Sequence, residues 1–206
     1  WANIRGVFQA NIKGLKIFEE GSYETENRAD VWGIDDYELF KESDKELQKL
    51  HQQKKPFVAY IQTASNHIPF TVPDKKESFI PLADEEISND LLKKSGFKSV
   101  AQLNALRYLD FNIGRFLKRA KTSGYYDNTV FVFFGDHNTM MNRNYQYTNE
   151  HDLNINLQHA LLFIHAPKFV KPEAISKNAK LIDLFPTVMS LIKMNHTNYT
   201  LGRNLL

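Results

Sequence analysis

Val130-Phe131-Val132-Phe133-Phe134-Gly135-Asp136-His137 decides how this chain is read. Five apolar, β-favouring residues run straight into a glycine, a carboxylate and an imidazole. Such a run is expected as a buried strand. Its C-terminal edge then presents Asp136 and His137, and in open α/β sheets that edge is where ligands bind. Carboxylate oxygen beside imidazole nitrogen is half a ligand set for a divalent cation such as Zn, Mn or Mg. Two ligands are too few for a tight site, so the rest must come from elsewhere. The competing reading is an aspartate that closes the loop and a histidine with a structural partner. Gly135, which lets the backbone pass close to a ligand, favours the metal reading.

Working outward, Phe57 to Thr63 reads as a second buried strand. It leads into Ser65-Asn66-His67-Ile68-Pro69-Phe70, a polar turn centred on a histidine. If the two strands are parallel neighbours, His67 reaches the same sheet edge as Asp136. It can then hydrogen-bond a phosphate or sulfate oxygen, or protonate a leaving group. Ser65 and Asn66 can equally close the turn by bonds to backbone.

Helical periodicity runs from Asp36 to about Gln53, with Leu39, Phe40, Leu47 and Leu50 on one face and Pro56 beyond its end. The strongest helix spans Ser99 to about Ser123. Leu103, Leu106, Asp110, Ile113 and Leu117 form its stripe, Leu109 and Phe116 widen it, and Gly124 supplies a left-handed stop. Residues 71–98 form a long loop with a short helix near Ala83 to Lys94. Ala160 to His165 is a further strand. Asp183 is placed to cap a helix with Pro186 in its first turn and Val188, Leu191 and Ile192 facing inward. Residues 1–35 read as irregular. Strand and helix alternate, so the class is α/β with a mainly parallel sheet flanked by helices, in one compact unit.

Composition narrows the function. The 206 residues carry a net charge of +2, with bases and acids interleaved, so nothing argues for nucleic acid. There is no cysteine, which excludes disulfides, thiolate metal sites and cysteine nucleophiles and suits an extracytoplasmic bacterial protein. No apolar run is long enough to cross a bilayer, and no signal peptide opens the chain. The start, Trp1-Ala2-Asn3-Ile4-Arg5, reads as a cut through a longer polypeptide. His151, His159 and His165 flank the 160–165 strand; each is a candidate to approach the metal or a satisfied loop histidine. His51 and His196 read as surface residues. Arg5 can pair bidentately with a phosphate, whereas Trp32 reads as packing. No serine or threonine sits at a strand-to-helix elbow, and there is no Gly-x-Ser-x-Gly or phosphate-binding loop.

With these residues in place, the chain resembles the second half of a sulfatase-like catalytic domain of the alkaline phosphatase superfamily. The closest branch is that of lipoteichoic-acid synthases and phosphoglycerol transferases. Ordered blocks carry the resemblance: Trp32-Gly33 with Asp35-Asp36 and Leu39-Phe40; Pro56 through Asn66-His67-Ile68-Pro69-Phe70; Tyr126-Asp127-Asn128-Thr129 through Gly135-Asp136-His137; His159 to Pro167; and Asp183-Leu184-Phe185-Pro186-Thr187 with Leu201-Gly202-Arg203-Asn204-Leu205.

The resemblance implies an incomplete alkaline-phosphatase-like fold. It implies that Asp136 and His137 bind a divalent metal, manganese first, with Mg, Zn or Ca as alternatives. It implies that His67 contacts the substrate head group. Trp1 and Arg5 stand as counterparts of a Trp and an Arg that touch glycerol phosphate in that branch, spaced more widely than its Trp-x-Arg form. Asp136-His137-Asn138-Thr139 departs from the Asp-His-Gly of sulfatases and leans towards the transferases.

Residues 1–206 are accordingly expected to be the C-terminal portion of one catalytic domain. The nucleophile, the first acidic metal ligand and a membrane anchor are expected upstream of residue 1. The expected activity is transfer of a phosphoglycerol or related head group from a phospholipid to an envelope glycan or polyol. The enzyme is expected at a bacterial cell membrane with its catalytic domain outside the cytoplasm. The alternatives are a sulfatase or phosphodiesterase, or a catalytically dead relative that binds glycan or lipid.

Overall fold

The computed structural model describes residues 4–19, 21–23, 28–138 and 148–206. The chain divides into two compact units, 1–124 and 125–206, where the sequence suggests one.

The first unit is built on two helices. α1 (Ile4–Asn11) and a small antiparallel hairpin, β1 (Arg28–Asp30) and β2 (Gly33–Ile34), occupy the stretch expected to be irregular. α2 (Asp36–Gln52) begins where Asp35 Oδ1 accepts the backbone N–H groups of Tyr37 and Glu38. That is the N-cap geometry that satisfies two orphan donors. α3 (Asn89–Lys94) is capped by Ser88 and α4 (Val100–Thr122) by Ser99. Gly124, at φ +83°, turns the chain out of α4 as expected.

α2 packs on α4, with the Phe40 and Phe116 rings stacked at 5.0 Å. The buried face of α4 is not the expected one. Ala105, Tyr108, Asn112, Phe116 and Ala120 are buried, whereas Leu106 is exposed. α4 is apolar around much of its circumference, so periodicity alone leaves the inward direction open. The aromatic side chains of Phe40 and Phe79 meet the Tyr108 and Phe116 side of the helix. Of the buried amides on that face, Asn112 donates to Tyr108 O (2.9 Å). Asn104 accepts from Leu82 N (2.8 Å) and donates to Leu82 O (2.9 Å), tying the long loop down.

Residues 57–63 form no strand pairing among the described residues. Val58 is 96% exposed and Tyr60 is exposed as well. The expected burial needs a neighbouring strand on at least one edge and cover on both faces. Neither is seen around Val58.

The second unit contains β3 (Phe131–Phe134), α5 (Thr148–Asp152), α6 (Ile155–Gln158), β4 (Leu162–His165) and α7 (Leu184–Leu191). β3 and β4 pair antiparallel, from Phe131 opposite His165 to Phe134 opposite Leu162. The α/β class stands, but both strand pairs among the described residues are antiparallel, where the sequence suggests a mainly parallel sheet. Of β3 only Phe131 is buried, and Phe163 on β4 is half exposed. Two strands cannot cover apolar runs on both faces.

α7 turns Pro186 and Thr187 inward rather than Val188, Leu191 and Ile192. Asp183 does not bond the N–H groups of its own helix. Its carboxylate accepts Lys180 N and Arg203 N, both at 2.8 Å, while Thr187 accepts Leu205 N. Those bonds stitch the C-terminal tail to α7. No helix among the described residues is long and apolar enough to cross a membrane.

Candidate metal and substrate site

β3 delivers the Gly-Asp-His sequence at its end. Gly135 N donates to Leu161 O (3.0 Å), which carries the pairing one residue beyond the strand. A Cβ on Gly135 would sit 3.2 Å from Ala160 Cβ. The close approach seen at this glycine is to the neighbouring segment. Asn138 N donates to Leu157 O (2.9 Å), in α6.

Asp136 and His137 project into solvent, with side chains 72% and 55% exposed. Asp136 Oδ1 accepts the N–H of His137 (2.9 Å). His137 Nδ1 lies 2.9 Å from Asn138 O. A carbonyl oxygen only accepts, so Nδ1 carries the proton and Nε2 is left with its lone pair. Nε2 and Asp136 Oδ2 stand 3.7 Å apart. One ring nitrogen tied to a carbonyl and the other without a hydrogen bond among the described residues is the arrangement of a metal-ligating histidine. One hard oxygen and one imidazole nitrogen at this separation suit a single divalent cation. Among the described residues, no group of three or more His, Cys, Asp or Glu is set to hold a metal.

The histidine turn belongs to the first unit. Asp36, fully buried at the start of α2, accepts Ala64 N (2.9 Å) and Ser65 N (3.3 Å) through Oδ1. Burial pushes its carboxyl above the ordinary carboxylate range; those backbone bonds work the other way, and the Asp35 charge adds to the rise. Asp35 is pushed up in the same way by burial, against the Tyr108 hydroxyl and the two backbone donors. The adjacent acids thus split the work. Asp35 caps α2 and takes the Tyr108 hydroxyl (2.9 Å), and Asp36 holds the entry to the turn. The Asp-Asp pair at a helix start is the signal for this role, and only its capping half is readable locally.

The turn closes through His67 N to Ala64 O and Phe70 N to His67 O, with the Ile68–Pro69 peptide cis. His67 is exposed, and its Nδ1 lies 2.8 Å from Ile68 O. Its proton is on Nδ1, and among the described residues its Nε2 makes no hydrogen bond, as in His137. Trp32 packs, as expected, but against His67: the ring centroids are 4.3 Å apart, and the indole N–H donates to Ile68 O (2.7 Å).

The other candidates have separate settings. Arg5 is exposed and ion-paired with Glu19. Trp1 lies outside the described residues. His165 is bonded to the Tyr126 hydroxyl (2.6 Å) and sits among Phe131 and Phe163, a structural setting. His151 lies 3.5 Å from Asp152, and His159 is exposed.

The Sulfatase family model matches residues 6–194. Lipoteichoic acid synthase 2 of Bacillus subtilis strain 168 is 31% identical over 197 residues, covering 91% of this chain and 28% of the relative. Lipoteichoic acid synthase-like YvgJ of the same strain is 31% identical over 173 residues, 78% of this chain and 26% of the relative. The chain thus spans about a quarter of the length of these relatives. A solved alkaline phosphatase superfamily protein from Vibrio parahaemolyticus superposes with a TM-score of 0.69 at 28% identity, over 92% of this chain and 41% of that one. The lipoteichoic acid synthase LtaP from Listeria monocytogenes superposes with a TM-score of 0.70 at 24% identity, over 90% and 45%, and shares the fold. The architecture is the α/β fold of the alkaline phosphatase superfamily, and the chain belongs to the Sulfatase family.

Proposed function

We propose that this chain is the C-terminal portion of a membrane-anchored, metal-dependent transferase. It moves a phosphoglycerol or related head group from a phospholipid to a glycan or polyol acceptor outside a bacterial cytoplasm. The observation that carries the reading is the Asp136–His137 pair, with Nε2 of His137 left bare by the Nδ1 bond to Asn138. The relatives named lipoteichoic acid synthases support the substrate class.

Asp136 and His137 would hold the divalent cation, manganese first, which when bound neutralises phosphoryl oxygens and favours an ionised nucleophile. The nucleophile is a hydroxyl from polypeptide preceding residue 1. It forms a bond to phosphorus as the bond to the lipid glycerol oxygen breaks, and that oxygen leaves with a proton as diacylglycerol. An acceptor hydroxyl then attacks phosphorus and loses its proton as the bond to the nucleophile's oxygen breaks, and that oxygen regains a proton while the head group stays on the acceptor. His67 offers Nε2 to the ester, donating when protonated and accepting when neutral. Arg5 exchanges Glu19 for phosphate. An exposed ion pair is worth about 0–1 kcal/mol, so this exchange costs little.

The test uses the full-length protein in lipid with a phospholipid bearing a labelled glycerol phosphate head group. Manganese-dependent release of diacylglycerol is expected. Asp136→Asn and His137→Gln each lower it about 10²-fold or more and weaken manganese binding by a similar factor. His67→Ala lowers turnover by roughly 10²-fold. Sulfate release from aryl sulfates without phospholipid turnover would assign a sulfatase instead. Binding of the lipid or glycan with no turnover of either would assign a catalytically dead relative.

A further inference from the structure

Trp32 has a more specific place than a packing residue needs. It occupies the tip of the two-residue hairpin between β1 and β2. Asp30 Oδ1 accepts its backbone N–H (2.8 Å), and Gly33, at φ +114°, returns the chain in a conformation closed to other residues. The indole is thereby aimed across 36 positions of sequence at the histidine turn. There it makes two contacts at once. Its ring lies beside the His67 imidazole, centroids 4.3 Å apart and planes tilted at 60°, and its N–H donates to Ile68 O at 2.7 Å.

Ile68 O is also the acceptor for His67 Nδ1. A carbonyl oxygen has two lone pairs, and here both are used. The indole N–H holds the carbonyl, the carbonyl holds Nδ1, and the bulk of the indole, with its centroid 4.3 Å away, limits rotation of the ring about its side-chain torsions. The result is one tautomer and one ring orientation, with Nε2 the nitrogen on offer. Deleting the indole N–H frees the carbonyl, and deleting the whole ring frees the imidazole too.

We infer that Trp32 is a positioning residue. It locks the His67 ring through the shared Ile68 carbonyl, so that Nε2 alone meets the phosphate ester of the substrate. This rests on the reading of His67 as a substrate-contacting group.

The test uses detergent-solubilised full-length protein labelled with ¹⁵N-histidine, with the His67 ring signals assigned by their loss in His67→Gln. Trp32→Phe keeps an aromatic face and removes the N–H; Trp32→Ala removes both. The unsubstituted protein should show His67 protonated at Nδ1. Trp32→Phe should shift the ring towards a mixture of tautomers, and Trp32→Ala further. Phospholipid turnover should fall on the order of 10-fold in Trp32→Phe, and by no more than about 2-fold when the same substitution is added to His67→Ala. Unchanged ring signals in both variants overturn the inference. So does an undiminished loss of turnover in the His67→Ala background, because Trp32 then acts without His67. Shifted ring signals with unaltered turnover uphold the locking of the ring and defeat the assignment of His67 to the substrate, so the two ideas fail separately.

Discussion

His67 and His137 are held alike: each sets Nδ1 against the carbonyl of the residue that follows it. A backbone acceptor one residue away is a cheap way to choose a tautomer, because it needs no distant partner. At both positions the bare Nε2 is what a cation or an ester oxygen would meet. The glycines also divide by what surrounds them. An ideal Cβ on Gly202 would stand 1.9 Å from Ile182 O, a backbone atom that cannot swing aside. Gly202→Ala is therefore expected to destabilise the folded protein by about 1–3 kcal/mol, read as a lowered urea midpoint. Gly114 lies inside α4 with nothing within 4 Å of a Cβ. Gly114→Ala should stabilise by roughly 0.5–1 kcal/mol, since alanine loses less backbone freedom in a helix. A Gly202→Ala protein as stable as the parent would refute the close approach of tail and backbone.

At the scale of elements, the start of α2 organises the first unit. Asp35 and Asp36 are buried side by side, one capping its own helix and the other reaching the histidine turn. Both carboxyls are pushed above the ordinary value of about 3.9. A carboxyl raised in this way binds its proton more tightly folded than unfolded, so its ionisation opposes folding. The cost is absent below about pH 4 and grows as pH rises towards the folded pKa. Asp36→Asn keeps an oxygen acceptor for Ala64 and Ser65 and removes the charge. Relative to the parent, it should gain stability in urea titrations as pH rises above about 4. A parent that gains on the variant over that range would mean the two backbone donors outweigh burial. Asp183 behaves in the opposite sense. Bonds from the Arg203 and Lys180 backbone hold its carboxyl below the usual range. Its contribution is present above the unfolded pKa and lost as pH falls through the folded one, so Asp183→Asn should be most damaging near neutrality and harmless in strong acid. Thermal melts at pH 7 and pH 2.5 read the difference.

Over the whole molecule, apolar surface is left open on both units: Val58 and Tyr60 on the first, and Leu161 and Phe163 on the second. Runs with this composition belong under other polypeptide. The 206 residues expressed by themselves are therefore expected to bind a hydrophobic dye, to self-associate and to turn over no phospholipid. Turnover by that piece alone would place the nucleophile within it and contradict the functional reading. Much of the frame could be read in advance because its signals are local. The Asp35 and Ser99 caps, Gly124 and the apolar run before Gly135 each set a boundary within a few residues. The Asp136–His137 pair was legible for the same reason, being two neighbours at a strand end. The burial of Tyr108 over Leu106, the lack of strand pairing at 57–63 among the described residues, and the meeting of Trp32 with His67 were not, since each depends on what lies across the fold. The sequence by itself determined where the capped helices and the β3 strand begin or end and that Asp136 and His137 are adjacent at a strand end, because caps, turns and strand ends act over a few bonds. Only the tertiary structure decided which helix face is buried, which carboxylate anchors the histidine turn and which indole fixes the imidazole. Those contacts join residues 28 to 73 positions apart, and nothing short of the folded path brings them together.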